Sequence, residues 1–233
     1  MNFQRIYAIV EKDVKEFMKN PMLYFLPFTS IILAFMYARL STFDNIESIS
    51  FPLFIIVGIT FATVTANAMM ILMAEEHEKE TLQGLILSPA SFIDLLIGKS
   101  IVVTFFTIVT LLIAFFIMGA APELTFFSVS SLFLLFLFFL FLGIGVGLFV
   151  QTVGMTTAYS LPILIIFGFS PFIQLILAND YEVVETVASY LPLTLLIDGT
   201  LSDRMINVLW LFIWTVAAAI FMIVCFQQTK QEE

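Results

Sequence analysis

Six stretches of this chain run for roughly 17 to 25 residues without a single Asp, Glu, Lys, Arg or His, and that property limits its fold more than any other. They are residues 22–38, 51–73, 101–121, 126–150, 157–178 and 208–226. A bilayer core about 30 Å thick is crossed by a helix of about 20 mainly apolar residues. In lipid, only a helix or a closed barrel satisfies its own backbone hydrogen bonds. The chain therefore reads as an all-α membrane protein, one transmembrane domain over 1–233 with six transmembrane helices. Composition agrees. The chain is 61% hydrophobic and 12% charged, whereas a soluble domain carries about 45–50% and about 25%.

The net charge of −9 says less than the positions of the cations. With the N-terminus inside, the inner side holds Arg5, Lys12, Lys15, Lys19, Lys79, Lys99 and Lys230, and the outer side only Arg39 and Arg204. Lys and Arg in short loops mark the cytoplasmic side. Both termini are expected there, in the plasma membrane of a bacterium. The first apolar run starts only near Met22, behind a charged segment, so a cleaved leader is not expected.

Residues 2–20 carry a different pattern. Phe3, Ile6, Tyr7, Val10, Val14, Phe17 and Met18 recur at helical spacing, with Arg5, Lys12, Lys15, Glu16 and Lys19 largely opposite. This predicts an amphipathic helix lying in the inner interface, or packed on another protein, with Asn20-Pro21 turning the chain into the membrane. Residues 179–206 mix five acids with apolar residues. They read as short external helices breaking at Pro192 and Gly199, either a re-entrant gate or a plain cap.

Most reactive chemistry is excluded by residue type. One cysteine, Cys225, and one histidine, His77, leave no disulfide and no metal site. No catalytic residue is assigned and the chain is not read as an enzyme. Gly98-Lys99-Ser100 resembles the end of a phosphate loop, but the glycine required five positions before Gly98 is Ile93. Lys99 reads instead as an interfacial anchor. Gly143 and Gly147 are four apart and read as helix-packing glycines, within the subunit or across a dimer. Among the mild polar side chains of the spans, which also include Thr60, Thr63 and Thr65, Asn67, Thr104, Thr107, Thr110 and Gln174 are singled out. They serve interhelical hydrogen bonds or a candidate translocation path. No ionisable residue lies within the spans, which argues against an ion-driven pump. The energy for any transport must then come from outside the bilayer.

That directs attention to the charged segment 75–99 between the second and third spans. Leu82, Leu85 and Ile86 gather on one side of a helical wheel, Ser88-Pro89 ends the helix, and Ser91 can cap the next one. The string Glu78-x-Glu80-Thr81-Leu82-Gln83-x-Leu85-Ile86-x-Ser88-Pro89-x-Ser91-x-x-Asp94-Leu95-x-x-Gly98-Lys99 resembles the cytoplasmic loop of ABC-2 type permeases. The likeness extends to the N-terminal helix, the six spans and Leu191-Pro192-Leu193-Thr194 before the last span. Two positions depart from the family pattern: Glu80 stands for its glycine and Gln83 for its acid.

The resemblance implies a coupling helix seated on a separate ABC ATPase subunit, with Glu76, Glu78, Glu80, Thr81, Leu82, Leu85, Ile86, Ser88 and Pro89 as the coupling residues. It also implies a second permease subunit, the same or homologous. ATP and Mg would be used by the ATPase and no cofactor bound by this chain; no nucleic acid is involved. The expected function is the membrane-spanning subunit of an ATP-driven exporter of a hydrophobic or amphipathic substrate. A drug, an antimicrobial or amphipathic peptide, and a lipid-linked molecule all fit. The 28 Phe residues suit such a cargo and suit plain lipid contact equally. A non-transporting membrane scaffold or immunity protein, and a secondary transporter, are the competing readings.

Overall fold

The computed structural model describes residues 3–39, 46–79, 92–122, 125–177, 182–202 and 205–231. Among these residues every regular element is helical: α1 Phe3–Lys19, α2 Pro21–Arg39, α3 Ile46–Thr60, α4 Ala68–Glu78, α5 Phe92–Met118, α6 Phe126–Phe149, α7 Val153–Ile163, α8 Ser170–Leu177, α9 Glu182–Ser189, α10 Pro192–Ser202 and α11 Met205–Gln231. A π-helical stretch, Phe61–Asn67, joins α3 to α4, and another, Leu164–Gly168, follows α7.

Five helices are long and apolar enough to cross a membrane: Pro21–Arg39, Phe51–Glu78, Ile93–Met118, Phe126–Phe149 and Met205–Thr229. They match five of the six apolar runs. The remaining run, 157–178, is built from shorter pieces. Its helix starts earlier, at Val153, and becomes π-helical at Leu164–Gly168. Phe169 then leaves helical geometry (φ −107°, ψ 14°), and α8 restarts at Ser170. Pro162 explains the break, because its ring removes a backbone donor and crowds the preceding turn. Gly168 then provides a weak point, and Pro171 suits the first turn of the new helix.

The helix Phe51–Glu78 forms the axis of the fold. Some 94% of its most apolar window is buried, against 17% for Pro21–Arg39 and 22% for Met205–Thr229. Its π-helical stretch follows from its threonines. Thr60 and Thr63 turn their hydroxyls back to the Ile56 and Ile59 carbonyls at 2.7 and 2.8 Å, a habit that bends helices.

Close approach of α6 to this axis requires glycine. A Cβ on Gly143 would stand 2.6 Å from the Ala66 carbonyl oxygen, and one on Gly147 would stand 2.7 Å from Met73 Cβ. On the opposite side of α6, α11 packs along its length, where Thr215 Oγ1 donates to the Leu134 carbonyl at 3.0 Å. Phe138, Phe167 and Trp214 interlock edge to face between α6, the π-helical stretch after α7, and α11.

The segment before α11 differs from the sequence reading at one point. Pro192 does open a new helix, α10, but Gly199 lies inside that helix and does not end it. Leu193 and Leu196 of α10 are completely buried, with Leu193 filling the space beside Gly58 of α3. α10 is therefore covered by protein, as backbone near a membrane requires, whereas Val183 and Val187 of α9 are exposed.

Candidate functional site

The stems of the charged segment are α4 on one side and α5 on the other. Glu76 and Glu78 belong to the last turn of α4. The other proposed coupling residues, Glu80, Thr81, Leu82, Leu85, Ile86, Ser88 and Pro89, lie outside the described residues. What the structure supplies is the framework that holds their two ends.

That framework is organised by α1. Much of its apolar stripe packs on the protein, although Tyr7 and Met18 stay exposed. Ile6 and Phe17 are buried, Val10 and Val14 pack on the core, and Phe17 stacks on Phe106 of α5 at 3.7 Å between ring centroids. The reason is available surface: α5 offers an apolar face near its start, and Gly98 removes the side chain that would keep α1 away. A Cβ there would lie 2.6 Å from Ile9 Cγ2. Gly98 is thus a close-approach glycine.

Lys99, expected as an interfacial anchor, is instead fully enclosed. Its Nζ lies 3.1 Å from Glu76 Oε1 and 3.4 Å from Asp13 Oδ2, with side-chain exposures of 0%, 2% and 0% for Lys99, Glu76 and Asp13. Lys12 Nζ donates to the same Glu76 oxygen at 2.6 Å. The cause is the close seating of α1. Once Gly98 and Ile9 meet, the neighbouring Lys99 can no longer reach water, and only paired charges survive such burial. Beside this core, Lys79 Nζ donates to Glu16 at 2.6 Å and Asn20 Nδ2 donates to Glu75 at 2.6 Å. Asn20 also accepts from the Met22 N–H at 3.0 Å, capping α2 ahead of Pro21.

The charges are perturbed accordingly. Burial pushes the Asp13 carboxyl up, against the pull of Lys99 and Lys12. Burial presses the Lys12 ammonium down, but the hydrogen bond and charge of Glu76 outweigh it and the net shift is upward. For Glu16, burial is overcome by hydrogen bonds led by Lys79, so its carboxyl falls below the usual range. The Lys79 ammonium is raised, first by its bond to Glu16.

Glu78 points elsewhere. Its Oε2 accepts from the backbone N–H of Val153 at 2.8 Å. The neighbouring Thr152 gives α7 no side-chain cap, so a carboxylate from α4 serves that helix start in its place. The final turn of α4 is consequently tied to α1 through Glu75 and Glu76, to α5 through Lys99, and to α7 through Glu78.

The polar residues within the spans fall into different surroundings. Thr107 is buried, and its hydroxyl shares a 3.0 Å hydrogen bond with Thr65 of the axial helix. Thr104, Thr107 and Thr110 each donate back to the carbonyl four residues earlier. Asn67 ends the π-helical stretch with its Oδ1 buried and without a hydrogen-bond partner among the described residues. Gln174 lies in α8. The sequence reading missed Asp13. Ile6, Val10, Asp13 and Phe17 fall at alternating steps of four and three, so Asp13 interrupts the apolar stripe of α1, and that was its signal.

The ABC-2 family transporter protein model matches residues 38–226. The chain belongs to that family. As an ABC-2 permease it is a multi-pass membrane component of an ABC transporter, and the family implies partnership with an ABC ATPase subunit. A comparison with curated proteins returned no match.

Proposed function

We propose that this ABC-2 permease is the membrane subunit of an ATP-driven exporter and that residues 75–99 receive the stroke of the ATPase. The observation that carries this reading is the convergence on the last turn of α4. Glu75, Glu76 and Glu78 attach one stem of the segment to α1 and the Asn20 turn after it, to α5 and to α7 at distances of 2.6 to 3.1 Å. A loop that only connected two spans would need no such attachment. A loop that is pushed needs its ends fixed to the helices that must move.

On this reading ATP and Mg are used by the partner, and the stroke passes from residues 76–90 into the axial helix and α5. A second permease subunit, the same or homologous, completes the pathway, and nucleic acid plays no part. The excess of Lys and Arg at the inner ends supports cytoplasmic termini in a bacterial plasma membrane. The run 157–178 crosses as a broken helix, its irregular turn shielded by protein. Among the polar residues of the spans, Asn67 is assigned to the path, since its carbonyl oxygen has no competing partner. Exposed Phe side chains and the lack of ionisable residues within the spans favour a hydrophobic or amphipathic cargo: a drug, an amphipathic peptide or a lipid-linked molecule.

The test is ATPase activity of the permease reconstituted with its ATPase, screened against such cargoes. Stimulation by a cargo is expected. It should vanish when residues 81–89 are replaced by a Gly-Ser linker, and co-purification of the two subunits should weaken with it. An ATPase that never co-purifies, or stimulation that survives the linker, overturns the reading.

A further inference from the structure

A cavity of about 310 Å³ opens at the inner end of the bundle, where the last turn of α4, the α6–α7 turn and the end of α11 meet. His77, Gln151, Tyr159 and Gln228 line it with polar groups, and Leu148 and Met155 line it with apolar ones. Its size lies at the lower end of the range for small-molecule sites. The Nδ1 atom of His77 is buried and has no hydrogen-bond partner among the described residues. Among the described lining residues there is no Lys, Arg, Asp or Glu. The two acids that flank His77 in sequence are directed away, Glu76 to Lys12 and Lys99, and Glu78 to Val153.

We infer that this cavity binds the uncharged hydrogen-bonding head of an amphipathic molecule, an amide or hydroxyl on a hydrocarbon chain, with His77 and Gln228 as its polar contacts. A charged head would enter without a counterion and lose its hydration for no return. A purely apolar ligand would displace water from the polar lining groups His77, Gln151, Tyr159 and Gln228 without pairing with them. An amide supplies both donor and acceptor to the imidazole and the two glutamines, and its chain rests on Leu148 and Met155. The inference deepens the permease reading by naming a cytoplasmic docking point for cargo. His77 stands between Glu76 and Glu78, so the turn that anchors α4 also forms one wall of the cavity.

Cys225, the single cysteine of the chain, lies in the same wall and reports occupancy directly. The experiment follows the rate at which methyl methanethiosulfonate modifies Cys225 in the full-length protein in proteoliposomes. The probes are decanamide, decanoate and decylammonium, three amphiphiles with chains of the same length. At twice its Kd, decanamide leaves about one third of sites free and slows modification about threefold. Decanoate and decylammonium should leave the rate unchanged. In His77→Leu and, separately, Gln228→Leu at the helix end, decanamide should lose most of its protection while the unprotected rate stays at the wild-type value. Equal protection by all three amphiphiles, protection by none, or full protection in both variants overturns the inference. No ATPase is present in this assay, so failure of the exporter reading would leave its outcome intact, and the converse also holds.

Discussion

Lys99 Nζ stands 3.1 Å from Glu76 Oε1, and neither side chain reaches solvent. The pair joins the first turns of α5 to the last turn of α4, so it closes the two stems of the charged segment 75–99 on each other. Asp13 and Lys12 bring α1 into the same contact. The end of the molecule that carries α1 is therefore one ionic joint among three helices.

Removing one partner of that joint should be more harmful than removing two. Lys99→Met leaves the buried carboxylates of Asp13 and Glu76 with one cation fewer, and losses of about 3–5 kcal/mol are usual when a buried pair is broken from one side. Lys99→Met combined with Asp13→Asn removes one charge of each sign and should cost clearly less than the sum of the two single changes. Thermal unfolding in detergent, arranged as a double-mutant cycle, measures this. Strict additivity would mean that the three charges do not act together.

The Glu78 contact makes a local prediction. Glu78→Leu should leave the first amides of α7 without a cap and weaken that helix start by about 0.5–2 kcal/mol. Hydrogen exchange at residues 153–156 should accelerate, with little change in α1. Glu78→Gln keeps an acceptor and should recover part of the protection. If exchange at Val153 is unaltered in Glu78→Leu, the cap is not operating.

Glycines in α6 and α7 should respond in opposite ways. Gly143→Ala places a methyl group 2.6 Å from the Ala66 carbonyl oxygen, and overpacking of this sort costs about 1–3 kcal/mol. Gly154, in α7, has nothing within 4 Å of a built Cβ. Gly154→Ala should therefore gain about 0.5–1 kcal/mol from helix propensity. Melting temperatures of the two variants, compared with the parent, decide the matter.

The attachment of α1 should depend on pH in a definite direction. Burial alone would lower Lys12, but Glu76 raises it overall, and Lys79 is raised chiefly by Glu16. Their contribution is complete below the ordinary lysine value of about 10.4 and is lost as pH rises through the higher folded values. Glu16 is depressed overall, so its contribution is complete above the ordinary value of about 4.3 and is lost as pH falls through the lower folded value. Asp13, raised by burial, has the opposite sign and offsets part of the acid loss. Limited proteolysis of residues 3–19 across pH should show protection on a broad plateau, with the sharper release on the alkaline side. Release only in acid would contradict the assigned pairs.

Much of the fold follows from the sequence alone, because lipid imposes simple demands. Long uncharged runs require helices, and the motif from Glu78 to Lys99 resembles the family whose model matches residues 38–226. The amphipathic period of α1 was equally visible. What covers its apolar stripe was not. A stripe such as Ile6, Val10 and Phe17 records only that an apolar neighbour is needed, and the hydrocarbon of a bilayer and the face of α5 meet that need equally well. Tertiary structure chose α5, since Gly98 allows Ile9 to approach within van der Waals contact. That choice made Lys99 a buried partner of Glu76 and Asp13. It also left Glu78 free to serve α7, 75 residues away in sequence. Charge state and spacing belong to the local chain, but burial is a property of neighbours brought in from a distance, and it is burial that turned an anchor into a joint.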